Sequence, residues 1–135
     1  MKLSNIALSQ FRNHTNTECE FGEKTNVFLG NNGEGKTNIL ESISFLLLTK
    51  SFHAKTDADA IQQEKKFFSV HTNVISDTDI QSKIHIYYNK EEKQKEYKIN
   101  SNTIQKLSSV IGEFPIVIIS PEHATITMRS PAERR

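Results

Sequence analysis

The sequence predicts an α/β fold in which one strand–loop–helix unit is joined to an antiparallel β-sheet. Two observations carry that reading. A glycine-rich stretch, Gly30–Thr37, falls between a short apolar run and a long helical pattern. Further along, Phe67–Ile75, Ile80–Tyr88 and Glu96–Ile99 follow one another as strand-like segments separated by turn residues, the pattern of neighbouring antiparallel strands.

The elements fall in order along the chain. Leu3, Ile6, Leu8 and Phe11 mark a half-buried first strand whose period slips once before Ile6, and Thr17–Phe21 reads as its hairpin partner. Asn26-Val27-Phe28-Leu29 is an apolar run of strand length that ends in a glycine. From Lys36 to about Lys50 there is no proline or glycine, and Ile39, Leu40, Ile43, Phe45, Leu46, Leu47 and Leu48 make a helix apolar on most faces, hence buried. Ser51–Gln62 is polar, with Asp57 or Asp59 as a helix cap before Ala60-Ile61. In the strand region, Ile84, Ile86 and Tyr88 share one face, Asn89–Lys93 is a charged hairpin tip, and Asn100-Ser101-Asn102 is a further turn. Ile104–Ile111 reads as a short amphipathic helix before Gly112. Pro115–Ile119 has the unbroken β-branched character of a strand buried on both faces. Ser130-Pro131-Ala132-Glu133 has the serine, proline and glutamate of a helix start, so residues 1–135 read as the front part of a longer protein.

Bulk properties exclude several classes. At 135 residues, 36% hydrophobic and 24% charged, the chain fits one ordinary globular domain. The net charge of +1 gives no bulk argument for nucleic-acid binding, so any such role needs a local patch or a partner. The single cysteine, Cys19, reads as a half-buried strand residue in a reducing compartment. No signal segment precedes the first strand, and the longest apolar run, Ile43–Leu48, is too short to cross a bilayer. These features place the protein in the cytosol, away from membranes. The five histidines are scattered without metal-ligand spacing and read as surface or strand residues. Lys90, Lys93, Lys95 and Lys98 are interleaved with Glu91, Glu92 and Glu96, a solvated face in the first instance.

The glycine-rich stretch carries the chemistry. Gly30-Asn31-Asn32-Gly33-Glu34-Gly35-Lys36-Thr37 matches G-x-x-x-x-G-K-[ST] in full. Glycines let successive backbone N–H groups approach phosphate oxygens, and the following helix N-terminus favours the anion. Lys36 supplies a point charge for the β- and γ-phosphates, and the Thr37 hydroxyl is placed to ligate Mg²⁺. Asn31 and Asn32 tolerate the left-handed conformations that such a loop uses. A chance match in a chain of this size occurs on the order of once in a few hundred. The ligand is a nucleoside triphosphate.

Hydrolysis also needs a carboxylate at the end of an apolar strand, and neither candidate supplies one. Ile116–Ile119 leads into Ser120-Pro121-Glu122, and Asn73-Val74-Ile75-Ser76-Asp77 is too short an apolar run with a serine intervening. A Leu-Ser-Gly-Gly-type signature is missing as well. The chain is expected to bind nucleotide and turn it over poorly or not at all.

Taken together, these residues resemble the N-terminal part of the RecF family, bacterial DNA-repair ATPases related to the SMC-like, ABC-type ATPases. The similarity runs through Phe11-Arg12-Asn13, Asn26–Gly30, Gly35-Lys36-Thr37-Asn38-Ile39-Leu40-Glu41-Ser42-Ile43, Lys50-Ser51-Phe52, Phe114–Val117, Ser120-Pro121-Glu122, Ser130-Pro131 and Arg134-Arg135. The resemblance implies the first lobe of an ABC-type head, with ATP and Mg²⁺ as ligands and with the missing catalytic elements beyond Arg135. It further implies ATP-dependent homodimerisation, DNA binding at single-strand gaps, and RecO- and RecR-like partners in recombinational repair. It adds Asn38, Arg12 and Asn13 to the nucleotide-binding set. From the residues alone, Arg12-Asn13-His14 is either an anion contact at a strand end or a solvated turn. Glu122 is either part of a Mg²⁺-sensing loop or the first turn of a short helix. Two other functions fit the same residues: the head of a different SMC-like ATPase, or a nucleotide-switched module that binds a partner or DNA without hydrolysis.

Overall fold

A computed structural model describes residues 1–119. Six strands make one sheet: β1 (Lys2–Phe11), β2 (His14–Glu20), β3 (Phe67–Ile75), β4 (Gln81–Asn89), β5 (Gln94–Ile99) and β6 (Asn102–Thr103), in the order β2-β1-β3-β4-β5-β6. Every neighbouring pair is antiparallel. The one α-helix among the described residues, α1 (Lys36–Leu48), lies across one face.

Period-two patterning sets which face is covered. The register aligns Leu8, Val70, Ile86 and Tyr97 in one row across β1, β3, β4 and β5, and Ile6, Thr72, Ile84 and Ile99 in the next. All but Ile99 are buried, and α1 sets Ile39, Phe45, Leu46 and Leu47 against them. Phe11, Phe45 and Phe68 meet edge to face with centroids 5.3–5.6 Å apart, the arrangement their ring quadrupoles favour. The alternate residues, among them His71, His85 and Lys98, form the opposite, polar face. The Tyr97 hydroxyl donates to the Leu46 carbonyl at 2.6 Å, satisfying one of the orphan acceptors in the last turn of α1.

Several elements differ from expectation. Asn26–Leu29 is not a strand, and Val27 and Leu29 are 71% and 88% exposed. Pro115–Ile119 is not one either, with Val117 and Ile119 at 86% and 85%. Composition alone cannot make a strand, because its N–H and C=O groups need a neighbour. No described strand lies beside either segment. Both instead line one groove of about 380 Å³ with Leu40, Ile43 and Leu47 of α1.

Ile104–Ile111 holds only a short 3₁₀ turn over Leu107–Ser109. The adjacent serines compete for the backbone, as Ser109 Oγ does by donating to the Lys106 carbonyl. Asp57–Ala60 is likewise a 3₁₀ turn, and Thr56, not either aspartate, stands at its N-cap. Asp59 works from inside the turn, where its carboxylate accepts the Thr56 N–H at 2.8 Å. Ser120-Pro121-Glu122, the helix start at Ser130 and the Arg134-Arg135 pair lie outside the described residues.

Candidate functional site

The loop Gly30–Thr37 runs into α1, whose N-cap is Gly35 at φ +95°. That left-handed backbone is open to glycine, and a Cβ there would collide with Asn13 Oδ1 and His14 Nε2. Gly33 is also left-handed, at φ +87°. Around the loop, Asn32, Gly33, Gly35, Lys36, Thr37 and Asn38 line a cavity of about 200 Å³. The N–H groups of the first helical turn have no intrahelical partner and lie at the positive end of the helix dipole, which favours an anion.

Two side chains hold the loop in shape. The Lys36 ammonium donates to the Gly30 and Asn31 carbonyls at 2.7 and 2.6 Å, bridging the loop from within. The Glu34 carboxylate accepts the Asn31 backbone N–H at 2.8 Å and its side-chain amide at 2.9 Å. Glu34 thus closes the Gly30–Asn31 end and leaves the cavity to its neighbours.

The β1–β2 turn lies against the loop. Asn13 Nδ2 donates to the Gly33 carbonyl at 3.0 Å, and Asn13 Oδ1 accepts from Asn38 Nδ2 at 2.8 Å. Arg12, at φ +55°, points elsewhere. Its Nε and Nη2 donate to the two oxygens of Glu41 at 2.8 and 2.7 Å, and its Nη1 donates to the Asp59 carbonyl at 2.7 Å. Of the nucleotide-binding residues read from sequence, the structure therefore brings Gly30–Thr37, Asn38 and Asn13 together. It directs the Arg12 guanidinium to Glu41.

Glu41 and His14 are the residues that the sequence reading missed. Glu41 is fully buried on α1 and also accepts from Ser51 Oγ. Burial alone would push its carboxyl up, but the hydrogen bonds from Arg12 and Ser51 and the guanidinium charge hold it below the ordinary carboxylate range. The same bond to Glu41 raises the Arg12 guanidinium. A signal was available: a charge inside a helix apolar on most faces must find a partner. His14 is buried at the start of β2, with Nε2 3.1 Å from the Gly35 carbonyl and Nδ1 2.9 Å from Thr17 Oγ1.

A glycine-rich loop, a helix N-terminus, an invading lysine and a cavity of phosphate size define a phosphate-loop, α/β nucleotide-binding class. The family model for the RecF/RecN/SMC N-terminal domain matches residues 2–123, and the chain belongs to that family. Curated relatives called DNA replication and repair protein RecF include one from Chloroherpeton thalassium, 37% identical over all of this chain and 36% of its own length. Another, from Clostridium acetobutylicum, is 39% identical over all of this chain and 37% of its own length. Two solved structures superpose with TM-scores of 0.86 and 0.87 at 31% identity, covering 98% of this chain and 35% and 36% of theirs. They are described as the recombination mediator protein RecF with ATP and with ATPrS in the RecFOR pathway. The chain thus spans little more than a third of the relatives' length. Among the described residues, no helix is long and apolar enough to cross a membrane.

Proposed function

We propose that this chain binds Mg–ATP through Gly30–Thr37, as the first lobe of a RecF-type ATPase head acting in recombinational repair and replication-gap processing in the cytosol. The observation that carries the reading is the phosphate-sized cavity at the start of α1, lined by Gly33, Gly35, Lys36 and Thr37. Loop amides and Lys36 would hold the phosphates, and the Thr37 hydroxyl would ligate Mg²⁺. Bound Mg²⁺ neutralises phosphate charge.

The groove lined by Asn26, Phe28, Pro115 and Ile116 beside α1 is the face on which the remaining strands of such a head would pack. In this proposal residues 1–135 supply one half of a composite site, completed when two full-length chains dimerise on ATP. DNA at single-strand gaps and RecO- and RecR-like proteins are the proposed partners, supported by the names of the relatives. The lobe alone binds nucleotide with little turnover.

Calorimetric titration of Mg–ATP into the chain and into Lys36→Ala, with hydrolysis followed in the same samples, tests the reading. Saturable binding that the substitution abolishes, with negligible turnover, is expected. Equal binding by both proteins would reject the loop as the site, and robust turnover would reject the half-site.

A further inference from the structure

We infer that His14 is a positioning residue for nucleotide binding: it holds the Gly35 carbonyl from the sheet side and thereby aims the Lys36 N–H into the phosphate cavity. The inference rests on the proposed nucleotide reading and adds to it a residue that would itself touch no ligand. His14 is 8% exposed and enters from β2, more than twenty positions before the glycine it contacts.

Hydrogen-bond chemistry fixes the tautomer. A carbonyl only accepts, so the Nε2 that lies 3.1 Å from Gly35 O carries the proton. In the neutral ring Nδ1 is the acceptor and takes the Thr17 hydroxyl at 2.9 Å. The ring is held at both nitrogens and cannot rotate without breaking one bond.

Peptide geometry carries the constraint forward. The Gly35 C=O and the Lys36 N–H belong to one planar trans peptide and point to opposite sides of it. Fixing the carbonyl against β2 turns the N–H outward, to the side where Asn32, Gly33, Lys36, Thr37 and Asn38 line the cavity. The same carbonyl accepts the Ile39 N–H at 3.1 Å, so the first turn of α1 is tied to the same anchor. Asn13 does for the Gly33 carbonyl what His14 does for Gly35. Gly35, at φ +95°, has the backbone freedom of a glycine, which an external clamp restricts.

The test is a set of substitutions whose order separates a directed hydrogen bond from mere filling of space. Glutamine carries its amide where Nε2 stands, asparagine where Nδ1 stands, and phenylalanine keeps the ring but donates nothing. With Mg–ATPγS as the titrant, H14F is expected to weaken binding about tenfold, and H14Q to stay within about threefold of wild type. A space-filling role gives the reverse order, with H14F binding as wild type and H14Q worse, and that result would overturn the inference. Should H14F not fold, H14Q against H14N decides: H14N must bind more weakly than H14Q, and equal affinities would refute the clamp. Absence of binding by the wild-type chain would instead sink the nucleotide reading, and this inference with it.

Discussion

Replacing Glu41 by glutamine keeps its shape and removes its charge, and the consequences can be worked out. The carboxylate is fully buried and receives two bonds from Arg12, at 2.8 and 2.7 Å, plus one from Ser51. An amide offers Arg12 one acceptor in place of two and sets an N–H against a guanidinium N–H. Breaking a buried pair by removing one partner costs about 3–5 kcal/mol. The Arg12 side chain is 21% exposed and can turn partly to water, so the lower end, about 3 kcal/mol, applies. Over 135 residues, with an unfolding entropy of about 2.1 cal/mol/K per residue, that lowers Tm by about 10 °C.

The pH dependence has a definite sign. The folded Glu41 carboxyl lies below its ordinary value, so its stabilisation is fully present above that value and is lost as pH falls through the folded one. Thermal unfolding of both proteins by circular dichroism, from pH 3 to pH 8, should show a constant gap above about pH 5 that closes in acid. A gap below about 1 kcal/mol at neutral pH, or one that does not close in acid, would refute the ion-pair reasoning.

Two further outcomes follow from the packing. Tyr97→Phe keeps the ring but leaves the Leu46 carbonyl without its 2.6 Å donor, and should cost about 1–2 kcal/mol, read as a Tm about 5 °C lower in a thermal melt. Leu29→Ser with Val117→Ser removes side chains that are 88% and 86% exposed. The pair should leave the melting temperature of this chain within about 2 °C while reducing binding of a hydrophobic dye.

What could be read from the sequence divides along physical lines. Local patterns were sufficient for α1, whose uninterrupted apolar residues start directly after Lys36, and for β3 and β4, whose alternation fixes both the strand and its buried face. The pairing of β1 with a hairpin partner is also legible, but that partner begins at His14, three residues before the Thr17 that the pattern marks. Composition marks Asn26–Leu29 and Pro115–Ile119 as strands, yet strand formation depends on a hydrogen-bonding neighbour that composition does not encode. The Arg12–Glu41 pair joins residues 29 positions apart, so the helix pattern announces that Glu41 needs a partner but not that Arg12 is the one. His14 escaped for the opposite reason. A lone histidine on a strand is ordinary, and only the three-dimensional approach of β2 to Gly35 gives it a task. The candidate site was legible as a phosphate loop, and its support from β1, β2 and Ser51 was not.

The most direct test is to follow the backbone amide resonances of the ¹⁵N-labelled chain while Mg–ATP is added. The largest shifts should fall on Gly33, Gly35, Lys36 and Thr37, with smaller ones at Asn13, His14 and Asn38, and none in Lys36→Ala. Shifts concentrated elsewhere, on the His71–His85 face of the sheet for example, or no shifts from the folded wild-type chain, would contradict a triphosphate held at Gly30–Thr37.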